Sequence, residues 1–388
     1  LFFKPSSLAL AAAATLAAGC STMPGAPGAA GTPGTTPVAA AAPGSAASAP
    51  RPAGAPAATP PAPGQPLPFA TVIKDARRID GLFTLWQKDD KVWFELAPAD
   101  FGKPFFFGPK ISQGIGEAGF FGGSMFGSWG TYGRQQMVEF RRVHNQVQLL
   151  ALNTRYDAPA GTPEGRGVRA GFSPSLMGAS PVASQPHPDR KTVLVEANPI
   201  LLSDLLGLGL RLQATYRQNY AFDRGNSAIT QVRGKPGEMV MEVQAHFATA
   251  SVAMPTPGAP PGAPVPSQPR SLPDVRSLFF GLHYAFAALP EKAMVPRRAD
   301  PRIGHFTTNV GDFSNDTARS PTLRFVNRWR LEKKDPNAAL SEPVKPIVFW
   351  VDRTVPLAYR DAVTRGILEW NKAFEKIGFK NAVQVKQQ

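Results

Sequence analysis

Side chains able to do chemistry are few in this sequence. Its five histidines are His144, His187, His246, His283 and His305. A zinc hydrolase commonly holds its metal with two histidines four residues apart on one helical face, with a glutamate between them as base. No two of the five have that spacing, and HExxH occurs nowhere in the 388 residues. His144 falls in a turn, His187 in a proline-rich stretch, and His246 and His283 in strand patterns, so each reads as structural or solvent-facing rather than as a metal ligand. GxSxG, the elbow that presents a nucleophilic serine, is absent too. GIGEAG (114–119) matches the dinucleotide-binding pattern, but eight glycines fall between Gly114 and Gly133. That stretch cannot supply the helix whose N-terminus would hold a pyrophosphate, and Glu139 lies on a strand of the wrong unit. A glycine-rich loop or strand packed by aromatic side chains is the better reading. Composition and spacing therefore nominate no catalytic residue, no metal ligand and no nucleotide site.

One residue does have a chemical role. Cys20 is the only cysteine, so no intramolecular disulfide can form and the fold rests on its core. It ends a short apolar run, SSLALAAAATLAA (6–18), that follows Lys4 and is too short to span a bilayer as a permanent helix. LAAGC (16–20) resembles the lipobox cut by lipoprotein signal peptidase, which makes Cys20 the expected lipid acceptor. Ser21 stands where a retention aspartate would favour the inner membrane, so likeness to Gram-negative lipoproteins implies the outer membrane, facing the periplasm or the surface.

From this anchor the organisation reads outward. Residues 21–68 are almost entirely Ala, Pro, Gly, Ser and Thr, with Arg51 as the single charge and no aromatic residue, which cannot offset the entropy of ordering. They are expected to form a disordered linker reaching roughly 40 Å. A small β-hairpin domain is expected over 69–113, and a mainly β domain over 114–335 with proline-rich surface insertions at 157–190 and 251–273. Period-two alternation predicts hairpins turning at Asp89-Asp90, at His144-Asn145 and at GKPG (234–237). It also predicts strands in VRSLFFGLHYAFAAL, HFTTNV and LRFVNRWRL. LLSDLLGLGLRLQATY (201–216) is expected to be a short helix opened by Ser203 or Asp204. The fold class is therefore mainly antiparallel β, followed by an incomplete α/β segment.

That last segment is the most informative. PIVFWVDRTVP (346–356) reads as an apolar strand ending at a charged turn. Tyr359, Val363, Ile367, Trp370, Phe374 and Ile377 then recur at spacings of 4, 4, 3, 4 and 3, one face of a helix of about five turns. Gly378 stops it, and NAVQVKQ restarts a strand. FVNRWRLEKKDPNAALSEPVKPIVFWVDRTVPLAYRDAVTRGILEWNKAFEKIGFKNAVQVKQ (325–387), above all ILEWNKAFEKIGF, closely resembles the entry into the catalytic domain of bacterial lipoprotein zinc metalloproteases of metzincin-like type. GLFTLWQKDDKVWFEL (81–96) and VPRRADPRIGHFTTNVGDFS (295–314) fit the mostly β region that precedes it in those proteins. The likeness covers nearly everything after Pro68.

The resemblance implies peptide-bond hydrolysis by a full-length protein whose HExxHxxGxxH helix binds zinc, with polypeptides as substrates and a membrane held through the lipid anchor. None of those zinc ligands is present in this sequence. Trp370, Asn371 and Phe374 belong to the scaffold of the catalytic domain, not to its site. Residues 336–388 are thus expected to be its truncated start, inactive as they stand, with the helix's apolar face partly exposed. The alternative is a non-catalytic envelope lipoprotein serving as scaffold or binding module. The formal charge of +14 would suit anionic lipid or lipopolysaccharide, but the basic residues are scattered, as on an ordinary solvated surface. Nucleic acid is not an expected partner, because export and the lack of a reading motif argue against it.

Overall fold

The computed structural model describes residues 65–123, 136–255, 257–258, 260, 264–315 and 317–387. Cys20, the signal and all but the last few residues of the linker lie outside the described residues, as does 124–135 of the glycine-rich stretch. The chain runs α1 (Phe69–Val72), β1 (Arg77–Ile79), β2 (Thr84–Lys88), β3 (Lys91–Leu96), β4 (Phe105–Gln113), β5 (Gln136–Val143), β6 (Gln146–Ala151) and β7 (Tyr156–Asp157). Next come α2 (Pro163–Gly171), β8 (Ser175–Pro181), β9 (Val193–Glu196), α3 (Asn198–Leu201) and α4 (Leu208–Tyr216). Three long strands follow, β10 (Ala221–Lys235), β11 (Glu238–Ala248) and β12 (Ser277–Ala288). The remainder is β13 (Thr307–Asp312), β14 (Thr322–Val326), β15 (Ile347–Val351), α5 (Leu357–Leu368), α6 (Trp370–Lys376) and β16 (Val383–Gln387).

All three expected hairpins form. Asp89 and His144 take up positive φ at their turns, and Gly237 does so in GKPG. The strands build a four-stranded sheet ordered β1-β2-β3-β9 and a seven-stranded sheet ordered β10-β11-β12-β4-β5-β6-β8, antiparallel throughout. A smaller sheet, β14-β13-β7, and the parallel pair β15-β16 complete the set.

One core joins the two large sheets. It takes Leu85 and Phe94 from the smaller sheet, Phe107, Phe140, Phe280 and Phe286 from the larger, and Leu201 and Leu212 from the helices beside them. Phe140 stands at its aromatic centre, with ring centroids 5.2 to 5.5 Å from Phe83, Phe94 and Phe105. β3 departs from simple alternation because both its faces are covered: Phe94 enters this core, while Trp93 packs with Phe69 and Leu194 in a second cluster. At the sheet junction, a Cβ on Gly234 would lie 2.0 Å from Asp80 O, so the close approach of β10 to the turn before β2 demands glycine there.

Hydrogen bonding crosses the expected division at residue 113. β3 pairs with β9, and β4 lies between β12 and β5, so 69–113 and 114–335 share both sheets. The reading of 157–190 as a surface insertion is also corrected. That stretch holds α2, capped by Thr162 Oγ1, and β8, an edge strand paired with β6. Small residues in SLMGASP hide its alternation, and Gly178 fits there because a Cβ would meet the Ile200 backbone at 3.1 Å. By contrast, the described part of 251–273 carries neither helix nor strand, and Gln218 pins it by bonding to Ala253 and Ser267.

Glu95 ties β3 to the segment before β9. Its nearly buried carboxylate accepts bonds of 2.8 Å from Trp86 Nε1, Arg190 Nε and Thr192 Oγ1. Burial pushes the carboxyl up, but these hydrogen bonds and the Arg190 charge outweigh it and hold it below the ordinary 4.5. A carboxylate with a depressed folded pKa contributes stability above its unfolded value and loses it as pH falls through the folded one. Thermal melts of the wild type should therefore fall from about pH 5 to pH 3 more steeply than those of Glu95→Ala, which should cost about 2 kcal/mol at neutral pH. Parallel pH profiles for the two proteins would remove Glu95 as the acid-sensitive group.

Candidate functional site

The residues that carry the protease resemblance form a parallel βαβ unit. β15 and β16 pair from Ile347↔Val383 to Val351↔Gln387, and the helical connection α5 and α6 packs against them. Parallel neighbours require such a crossover, so the strands IVFWV and VQVKQ become adjacent only through the helix between them. Asn371 locks helix to sheet: its Oδ1 accepts from Val383 N at 2.8 Å, and its Nδ2 donates to Val383 O at 2.9 Å. The 333–344 segment braces the helix end, where Ser341 N donates to Gly378 O and Lys380 N to Ser341 O.

The terminal helix differs from its expected form in two ways. It is divided at Glu369, which keeps helical φ and ψ while Lys372 N bonds back to Glu369 O, a tightened turn. Its inward face is also mixed rather than apolar. Arg360, Thr364, Ile367, Asn371 and Phe374 are the partly buried positions, whereas Tyr359, Val363, Trp370 and Ile377 look outward. Trp370 is 64% exposed and Trp350 on β15 is 61% exposed, so both sides of this unit carry large apolar side chains in water. Of the three scaffold residues named from the sequence, Asn371 makes the clamp, Phe374 is half-buried, and Trp370 faces outward.

Two clefts open beside the sheets. One of about 660 Å³ is lined by Phe106, Gln136, Asn153, Arg155, Ser175 and Asp204 among others. Burial raises the Asp204 carboxyl, against the pull of the Gly209, Leu208 and Gly207 N–H groups. The helix expected over 201–216 starts only at Leu208, after Gly207 in a left-handed conformation; Asp204, upstream of it, accepts from Leu208 N and Gly209 N. The second cleft, about 630 Å³ and mostly apolar, runs between Trp329, Val344 and Ile347.

GIGEAG closes on itself. Ile115 N and Gly116 N donate to Phe120 O, while Glu117 takes the Tyr216 hydroxyl at 2.7 Å and Arg270 N at 3.1 Å. The Tyr216 bond holds the Glu117 carboxyl below its ordinary value. The loop's polar groups thus fasten α4 and the 267–271 segment, and Glu139 sits on β5 paired with Arg141.

His144 occupies its turn, and His187 accepts from Asp189 N and Arg190 N in another. His283 lies 3.6 Å from Glu242 on the outer sheet face, and His305 is exposed. His246 is different, for the ladder brings it against Asp223 and Ser277, a grouping that no local spacing marks. Among the described residues, no group of three His, Cys, Asp or Glu side chains could hold a metal ion. No described helix is long and apolar enough to cross a membrane.

A family model described as a domain of unknown function (DUF5117) matches residues 130–334, more than half of the chain. The chain belongs to the DUF5117 family. A second model, also a domain of unknown function (DUF5118), matches residues 66–114. No curated protein and no solved structure matches the chain. The DUF5118 segment contributes β4 to the middle of the sheet that the DUF5117 segment otherwise builds, and β9 of DUF5117 returns to edge the DUF5118 hairpin. The two matched segments are therefore one folded body with an exchanged strand on each side.

Proposed function

We propose that this chain is the non-catalytic front part of a cell-envelope zinc metalloprotease. In this reading the DUF5118 and DUF5117 segments form a β platform and 336–388 opens the catalytic fold. The observation that carries the reading is the βαβ unit. It is built by the residues in which the protease resemblance is strongest, and it presents apolar side chains such as Trp350, Tyr359 and Trp370 to solvent, as a part of a larger domain would.

The zinc that the resemblance implies does not fit the residues at hand. No ligand group exists among the described residues and no HExxH occurs in the sequence, so no zinc chemistry is assigned to these side chains. Cys20 would hold the platform to the outer membrane by its lipid, with residues 21–68 as tether. Polypeptides of the envelope are the proposed substrates of the whole enzyme.

Casein zymography of the 388 residues with added zinc is expected to show no clearing. A clearing band that a chelator abolishes would overturn the assignment of the zinc site to residues beyond these.

A further inference from the structure

We propose that Ser277 is an activated nucleophile on the outer face of the large sheet, with His246 as its base and Asp223 positioning His246, and that it accepts acyl groups from activated carboxylic esters. The cluster is independent of the protease reading and uses none of its residues.

The three side chains come from three adjacent strands. Asp223 pairs directly with His246, and Ser277 sits diagonally from it, two residues before the His246 partner Phe279. His246 Nδ1 lies 2.8 Å from Asp223 Oδ2, and His246 Nε2 lies 2.7 Å from Ser277 Oγ. For the neutral imidazole that a general base must be, these contacts set the proton positions. A carboxylate only accepts, so Nδ1 carries the hydrogen; in the neutral ring Nε2 is then an acceptor, and the Ser277 hydroxyl must donate to it. That is the proton arrangement a serine nucleophile requires, recognised by geometry and not by sequence order.

Asp223 is itself held in place. Its carboxylate accepts from Asn226 Nδ2 at 2.7 Å and from Gly225 N at 3.1 Å. The Asn226 amide and then His246 keep the carboxyl below its ordinary value. The β10 ladder breaks register between Asp223 and Ala228, and Ser227 fills the break by donating to Asp223 O and accepting from His246 N. A bulge of this kind re-aims one side chain out of the regular pleat. The neighbours Phe247, Leu278 and Phe280 already close the opposite, core face of these strands. Ser277 remains half-buried and Asp223 30% exposed, with the Phe279 ring, 4.5 Å from the imidazole, forming one wall.

The surroundings also select the substrate class. Ser277 N, a common oxyanion donor in serine hydrolases, is committed to Asp274 O at 3.2 Å. Without that donor the tetrahedral oxyanion relies on water, which suits esters of acidic alcohols and not amides. In the first step Ser277 Oγ bonds to the acyl carbon while its proton passes to His246 Nε2. The bond from carbon to the alcohol oxygen then breaks, and His246 returns the proton to the departing alkoxide. Water repeats the sequence on the acyl-serine, giving acid and free Ser277.

A fluorophosphonate probe incubated with the full chain, followed by peptide mass spectrometry, tests this. Ser277 is expected to be labelled ahead of the other serines, and labelling should be lost in guanidinium. His246→Gln should slow it by about 100-fold or more, with an unchanged circular dichroism spectrum. Release of p-nitrophenol from its acetate should disappear in Ser277→Ala. If Ser277 is not labelled preferentially in the native chain, or is labelled equally fast in folded His246→Gln, the proposal is wrong.

Discussion

Phe140→Ala is expected to lower the unfolding free energy of the β region by about 4 kcal/mol, the range for removing a fully buried phenylalanine from a packed core. Phe140 is 0% exposed and touches Phe83, Phe94 and Phe105, which belong to the DUF5118 segment, while itself lying in the DUF5117 segment. The loss should appear as a single transition in urea, because the two segments share both sheets and cannot open separately. Leu210→Ala, on the solvent side of α4, should change stability by no more than about 0.5 kcal/mol and serves as control. Two resolved transitions in Phe140→Ala, one per matched segment, would contradict the shared-sheet architecture.

Asn371→Ala should act elsewhere, on the βαβ unit alone. The side chain satisfies both backbone groups of Val383, a residue only 3% exposed, so its removal orphans a donor and an acceptor together. A cost of about 2 to 3 kcal/mol follows from two lost bonds with unsatisfied partners. Amide hydrogen exchange should accelerate through 347–351 and 383–387 while the strands around Phe140 keep their protection. Asn371→Asp retains an acceptor for Val383 N but no donor, and should fall between the two. Unchanged exchange at 383–387 in the alanine variant would show that the clamp does not hold the helix to the sheet.

What the sequence revealed was local. The hairpins were legible because turn residues and period-two alternation act within a few positions, as at Asp89, His144 and Gly237. Long-range choices were not. Nothing in FFFGPKISQ marks β4 for insertion between β12 and β5, and the small residues of SLMGASP gave β8 no apolar period. The apolar spacing of the terminal helix did not mark its inward face: only Ile367 and Phe374 of that stripe are partly buried, while Asn371 turns toward the sheet through its two hydrogen bonds to Val383. Asp223, His246 and Ser277 meet only through strand register and a bulge, which no motif spacing encodes.

The proposed function rests on the βαβ unit being the opening of a zinc protease. Reading the gene past codon 388 tests it most directly. An HExxHxxGxxH motif downstream, in frame or shifted by a single frame change, is the expected result. A stop codon followed by unrelated sequence would contradict it and leave the β platform as an envelope scaffold.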